Sequence, residues 1–205
     1  MFTLFKALAL PFFLISILTF GVITLIKVDI FILKNNMSEL SLTEIFQQVF
    51  LLFSVIIFYW SAIKVKSSHT LFILISAFFG CMFLRELDYY FDKISHGFWL
   101  YPTLVLALSA IFYSFKNSDN IASSASAFKN KQAYFNILIG LVIIMVFSRL
   151  FGSGSLWKDV MNDDYQHLYK TIMQEGLELF GYLFLFIGSC YQYLDVKRFL
   201  QKEQA

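Results

Sequence analysis

This chain has little charge for its length. Only 15% of its 205 residues are Asp, Glu, Lys or Arg, against about 25% in a soluble domain. The balance is +2, and no basic stripe alternates with stacking aromatics, so nucleic acid is excluded as a partner. Cysteine is nearly absent as well. Cys81 and Cys190 both sit inside apolar runs, which excludes a disulfide framework, and no CxxC or Cys/His metal spacing occurs. Histidine is limited to His69, His96 and His167. No HExxH, GxSxG, P-loop or GxGxxG pattern is present.

What is present is apolar. Hydrophobic residues make up 59% of the chain, with 26 Phe, and the mean hydropathy is +0.68. That share exceeds what one soluble core of this size can hide, so a lipid bilayer is the expected solvent and partner. Runs of about 20 apolar residues mark bilayer-crossing helices. They fall near 7–26, 45–63, 69–93, 98–113, 133–150 and 168–194. The expected fold is therefore an all-α, multi-pass membrane helix bundle of about six spans, one integral domain over 1–205. The most polar segment, 116–132, reads as a flexible loop joining three-helix halves at 1–115 and 133–200. The first apolar run outlasts the ~7–15 residues of a signal core and lacks a small-x-small cleavage pattern. It reads as a retained span that also serves for targeting. Ser41 followed by Glu44 forms a Ser-x-x-Glu capping box opening the second helix.

Lysine and arginine orient the bundle. With the N-terminus inside, inner segments hold Lys6, Lys64, Lys66, Lys116, Lys129, Lys131, Lys197, Arg198 and Lys202. Outer segments hold Lys27, Lys34, Lys93, Lys158 and Lys170, with Arg85 and Arg149 inside helices. The bias places both termini in the cytoplasm, and a bacterial inner membrane is the expected location. Of the 14 acids only Asp119, Asp195 and Glu203 then fall inside, so the outer face is acidic.

Charge within apolar helices is costly unless it is paired or functional. At 100° per residue, Arg85, Asp88, Tyr89, Asp92 and His96 share one stripe of a helix running to Lys93, with Glu86 on its flank. Helix six presents a matching face with His167, Gln174, Glu178, Gly181, Tyr182, Ser189 and Gln192, and Glu175 at its edge. Gly181 and Gly188 on that face permit close helix approach. Arg149 ends helix five. Three helices thus bring Arg85, Glu86, Asp88, Asp92, Arg149, Glu175 and Glu178 to similar depth as the candidate substrate- or ion-binding set. An ion-pair network locking the helices is the structural alternative, at even weight. Carboxylates with histidine also form a candidate site for a divalent metal: Glu86, Asp88, His96, His167, Glu175 and Glu178.

The acid–Arg cluster on a multi-helix bundle resembles membrane-embedded metallohydrolases of the ceramidase type in a general way. Their histidine-rich ligand pattern is missing, and no residue is carried over. Three functions fit the pattern. The first is binding or transport of a cation or polar solute in an acidic site open to the outer, periplasmic face. The second is a membrane-embedded enzyme, metal-dependent or not, acting on a lipid head group or lipid-linked substrate; its catalytic residues are not assigned by the sequence. The third is a non-catalytic assembly, immunity or accessory protein with a protein partner at the outer face.

Overall fold

A computed structural model describes the backbone of residues 2–203 and, apart from residues 2–8 and Pro11, their side chains. Lys6 and Pro11 of the first span therefore lie outside the residues whose side chains are described. The fold is all-helical, with no strand among the described residues. Five helical stretches are long and apolar enough to cross a membrane: Phe12–Leu33, Leu42–Lys64, Lys66–Glu86, Gln132–Phe151 and His167–Glu203. The apolar helix Leu100–Lys116 is shorter, about 25 Å at 1.5 Å per residue.

In chain order, α1 is Phe2–Lys27, passing into a π-turn at Val28–Leu33, and α2 is Leu42–Lys64. Half of the capping box forms: the Ser41 hydroxyl accepts from Glu44 N at 3.3 Å, while Ser41 N donates to Ser38 O at 2.7 Å rather than to the Glu44 side chain. Next come α3 (His69–Glu86), α4 (Asp88–Asp92), α5 (Leu100–Lys116) and α6 (Ile121–Phe128). The fifth apolar run is built from α7 (Gln132–Val142), a π-turn at Ile143–Phe147 and α8 (Ser148–Phe151). Last are α9 (Gly154–Met161) and α10 (His167–Glu203).

Three boundaries differ from the sequence reading. Helix three does not run to Lys93. It stops at Glu86, where Leu87 (φ −93°, ψ 12°) leaves the helical region. The segment expected as a flexible loop contains α6, because Ser124 and Phe128, four residues apart and so on one helical face, are both buried. The charged C-terminal segment does not end the last helix, since α10 runs 37 residues without a break. No glycine or proline interrupts it after Gly188.

The core is aromatic. Phe58 on α2 meets Phe79 and Phe72 of α3 and Phe128 of α6 edge-on, with centroids 5.5, 5.9 and 6.1 Å apart, the geometry ring quadrupoles prefer. On the other side, α10 and α7 touch backbone to backbone. A Cβ on Gly181 would stand 2.5 Å from Ile144 Cγ1 and 2.9 Å from Gly140 O, and one on Gly188 would stand 2.7 Å from Ile137 Cγ1. Both glycines read from the sequence as close-approach residues thus face the fifth apolar run. We predict that Gly181→Ala costs about 1–3 kcal/mol, the range for overpacking a tight contact. Reversible unfolding in mixed micelles measures it, and a neutral result would show that the two helices separate freely.

Helix α1 is the least enclosed element. Leu10, Phe12, Phe13, Ile17 and Phe20 are exposed, while Val22 packs with Leu179 and Leu183 of α10. Its second attachment is polar. Asp29, in the π-turn, is fully buried and accepts four hydrogen bonds. Two of them come from the first backbone N–H groups of α2, which no intrahelical carbonyl can satisfy.

Candidate functional site

The charged side chains gather where α2 and α10 begin and α3 and α8 end. Each helix has its own reason to place polar groups there. α2 carries Glu44, Gln47 and Gln48 within its first two turns, α3 ends in Arg85–Glu86, α8 carries Arg149, and α10 offers Gln174, Glu175, Glu178 and Tyr182 on successive turns. At 3.6 residues per turn, Gln174, Glu178 and Tyr182 form one line facing the bundle.

Two ion pairs anchor the cluster. Arg85 Nη2 lies 2.7 Å from Glu86 Oε1, and Arg149 Nη2 lies 3.5 Å from Glu178 Oε1. The buried Tyr182 hydroxyl donates to Glu86 Oε1 at 2.8 Å, tying α10 to α3. Gln174 Nε2 donates to Glu178 Oε1 at 3.3 Å. Gln48 Nε2 reaches the Glu86 carbonyl at 3.1 Å. Gln47, also buried, donates through Nε2 to both the Glu175 carbonyl (3.2 Å) and its carboxylate (3.3 Å). Because both partners are acceptors, the amide must turn its nitrogen toward them. Gln47 Oε1 is left buried without a hydrogen bond. Glu44 completes the acidic set and is repelled by Glu175, Glu39 and Glu86.

The sequence-predicted residues divide accordingly. Arg85, Glu86, Arg149, Glu175 and Glu178 come together. Asp88 stands at the rim; its carboxylate accepts from Tyr89 N at 2.7 Å, and its charge acts on Glu44 and Glu39. Asp92 lies outside the cluster, with Gly97 N (2.8 Å) and His96 Nδ1 (2.9 Å) on its two oxygens. Those contacts, Gly97 first, hold its carboxyl below the usual carboxylate range. The stripe drawn through Arg85, Asp88 and Asp92 is not continuous, because the break at Leu87 ends the wheel on which it was drawn. On the same rim Glu39 is pushed above its usual value, first by partial burial and then by Asp88, Asp92 and Glu86.

The metal candidates divide as well. His96 is spent on Asp92, and His167 lies 3.2 Å from the Thr171 hydroxyl one turn along α10. Among the described residues no three His, Cys, Asp or Glu side chains converge to hold a metal ion. Glu86, Asp88, His96, His167, Glu175 and Glu178 are therefore not one coordination sphere. The sequence reading missed Glu44, Gln47 and Gln48 as members of the cluster. Their signal was available, since two adjacent glutamines interrupt an otherwise apolar helix.

Comparison with protein-family models, curated proteins and solved structures finds no match. The functional reading therefore rests on the geometry of this cluster.

Proposed function

We propose that the chain is a multi-pass protein of a bacterial inner membrane, with six crossings and both termini cytoplasmic. In this reading the acidic cluster opens to the outer face and binds, or passes on, a cation or polar solute. Helix α5 supplies the sixth crossing, its 17 residues matching the short end of the ~17–25-residue range for a spanning helix. The lysine bias of the opposite end supports the orientation.

One observation carries the proposal. Four carboxylates converge on two guanidinium groups, and each arginine is committed to one of them, Arg85 to Glu86 and Arg149 to Glu178. Glu175 and Glu44 form no ion pair among the described residues, and the unsatisfied Gln47 Oε1 adds a neutral acceptor beside them. Such a surplus of acceptors at membrane depth favours a positively charged guest.

The test follows the unfolding temperature of the protein in mild detergent during titration with Na⁺, K⁺, choline and putrescine. At roughly 100 times its dissociation constant a specific ligand adds about 2.7 kcal/mol. At least one of these cations is expected to raise the unfolding temperature, and Glu175→Gln to abolish the rise while leaving helicity intact. No response to any of them, or an equal response in the variant, removes the reading.

The half-exposed guanidinium groups of Arg85 and Arg149 favour a second reading. An enzyme acting on a lipid head group would use them to hold phosphate, with Glu178 or Glu86 as acid or base. Phosphate-dependent stabilisation lost in Arg85→Gln would favour this over cation binding.

A further inference from the structure

The opposite end of α2 and α3 carries a second, unrelated feature. A cavity of about 330 Å³ lies between the α2–α3 turn, the C-terminal end of α5 and the start of α6. Its lining is polar and basic, with Lys66, Lys116 and His69 against a single acid, Asp119. None of Lys66, Lys116 and Asp119 forms an ion pair among the described residues. The walls are fixed by hydrogen bonds. The Thr70 hydroxyl donates to Asn117 O at 3.0 Å, joining α3 to the end of α5, and the Ser124 hydroxyl donates to Ser67 O at 3.0 Å, joining α6 to the turn. His69 Nδ1 lies 2.8 Å from Ala62 O. A carbonyl accepts, so Nδ1 carries the proton and Nε2 is the remaining hydrogen-bonding atom.

The cavity is not isolated. Tyr113 lines both it and an apolar groove of about 470 Å³ floored by Ala77, Gly80 and Ala110. Leu71 lines both it and a second apolar groove, of about 270 Å³, beside Phe78 and Leu141. The two grooves flank α3 on opposite sides. A basic polar chamber that shares a wall residue with each of two apolar grooves matches one ligand shape, a charged head with two hydrocarbon tails. Basic pockets between membrane helices hold anionic head groups through the same attraction.

We propose that this cavity and its grooves form a binding site for an anionic phospholipid, its phosphate held by Lys66 and Lys116 and its acyl chains lying along the two sides of α3. The grooves distinguish this ligand from a free anion, which would need the chamber alone. The site shares no residue with the acidic cluster and stands whether or not that cluster binds a cation.

The experiment measures thermal stabilisation of the full chain in mild detergent by added phosphatidylglycerol, phosphatidylcholine or inorganic phosphate, with native mass spectrometry of retained lipid. Phosphatidylglycerol is expected to stabilise at lower concentration than phosphatidylcholine, and phosphate alone to do nothing. In K66Q/K116Q the phosphatidylglycerol dependence should move to roughly thirtyfold higher concentration, from about 1 kcal/mol for each of the two lysines at a charged membrane surface. Ala77→Phe fills the larger groove and should lower lipid retention. Equal stabilisation by phosphatidylcholine, an unchanged response in K66Q/K116Q, or a phosphate effect matching the lipid would each overturn the proposal. The lysine variant is surface-exposed and keeps the test decisive if Ala77→Phe fails to fold.

Discussion

Asp29→Ala is expected to destabilise the protein by about 3–5 kcal/mol, since it strips charge-assisted hydrogen bonds from several buried donors at once. The carboxylate is fully buried and divides its work evenly. Oδ1 accepts from Asn35 Nδ2 and Leu42 N, both at 2.9 Å. Oδ2 accepts from Thr43 N at 2.8 Å and from the Thr43 hydroxyl at 2.6 Å. Alanine leaves the first N–H groups of α2 without a partner, a loss worth about 1 kcal/mol for an ordinary helix cap and more in a buried one. Asparagine is not a rescue, because one of its two atoms becomes a donor facing donors. Turning Asn35 to compensate would sacrifice the bond its Oδ1 accepts from Met37 N at 3.0 Å. Asp29→Asn is therefore expected to keep less than half of the wild-type contribution. Unfolding in mixed micelles measures both variants. Hydrogen exchange should locate the damage at Leu42 and Thr43 and in α1, whose apolar contacts with the bundle are few. A neutral Asp29→Ala would mean that α1 is held by those contacts alone.

Asp29 also shows where sequence reading stops. An aspartate at the end of an apolar run is indistinguishable by periodicity from a solvated terminus. Its role depends on where a helix starting 13 residues later places its first amides, and no local pattern encodes that. The cap at Ser41 was legible because its partner, Glu44, is three residues away. The same division runs through the charged cluster. Glu178, Tyr182 and Gly181 were placed correctly on one face of α10, because an unbroken helix preserves its wheel for 37 residues. Asp88 and Asp92 were drawn on one wheel with Arg85 because that wheel was carried through Leu87, an apolar residue with no breaker chemistry, where α3 stops. Phe128 was missed for a third reason. It is one of only two large apolar residues, with Ile121, in the serine-rich helix α6, and its burial against Phe58 and Phe72 requires knowing how α2 and α3 pack.

Arg149→Ala is expected to cost about 3 kcal/mol, and Glu178→Gln only about 1 kcal/mol, although they break the same pair. The asymmetry comes from burial. The Glu178 side chain is 3% exposed and the Arg149 side chain 49% exposed. Removing the arginine leaves a carboxylate where water cannot reach it, with Glu86 adding repulsion and only the more distant charge of Arg85 to offset it, and breaking a buried pair from that side costs about 3–5 kcal/mol. The lower end applies here because the exposed arginine is partly screened by solvent and stands 3.5 Å away. Removing the charge from Glu178 instead leaves an arginine that water can solvate and an amide that still accepts from Gln174. The double variant separates this account from a loss of packing. If a stranded charge is the damage, Glu178→Gln should restore roughly 2 kcal/mol to Arg149→Ala, which corresponds to a coupling of about 3 kcal/mol, at the upper end of the range seen for contacting residues. If the arginine stem matters only as packing, the two costs should add. A harmless Arg149→Ala would have a functional meaning too. It would show that Glu178 does not need the arginine for stability, and so release Arg149 to hold a phosphate, shifting the balance from cation binding toward lipid head-group chemistry.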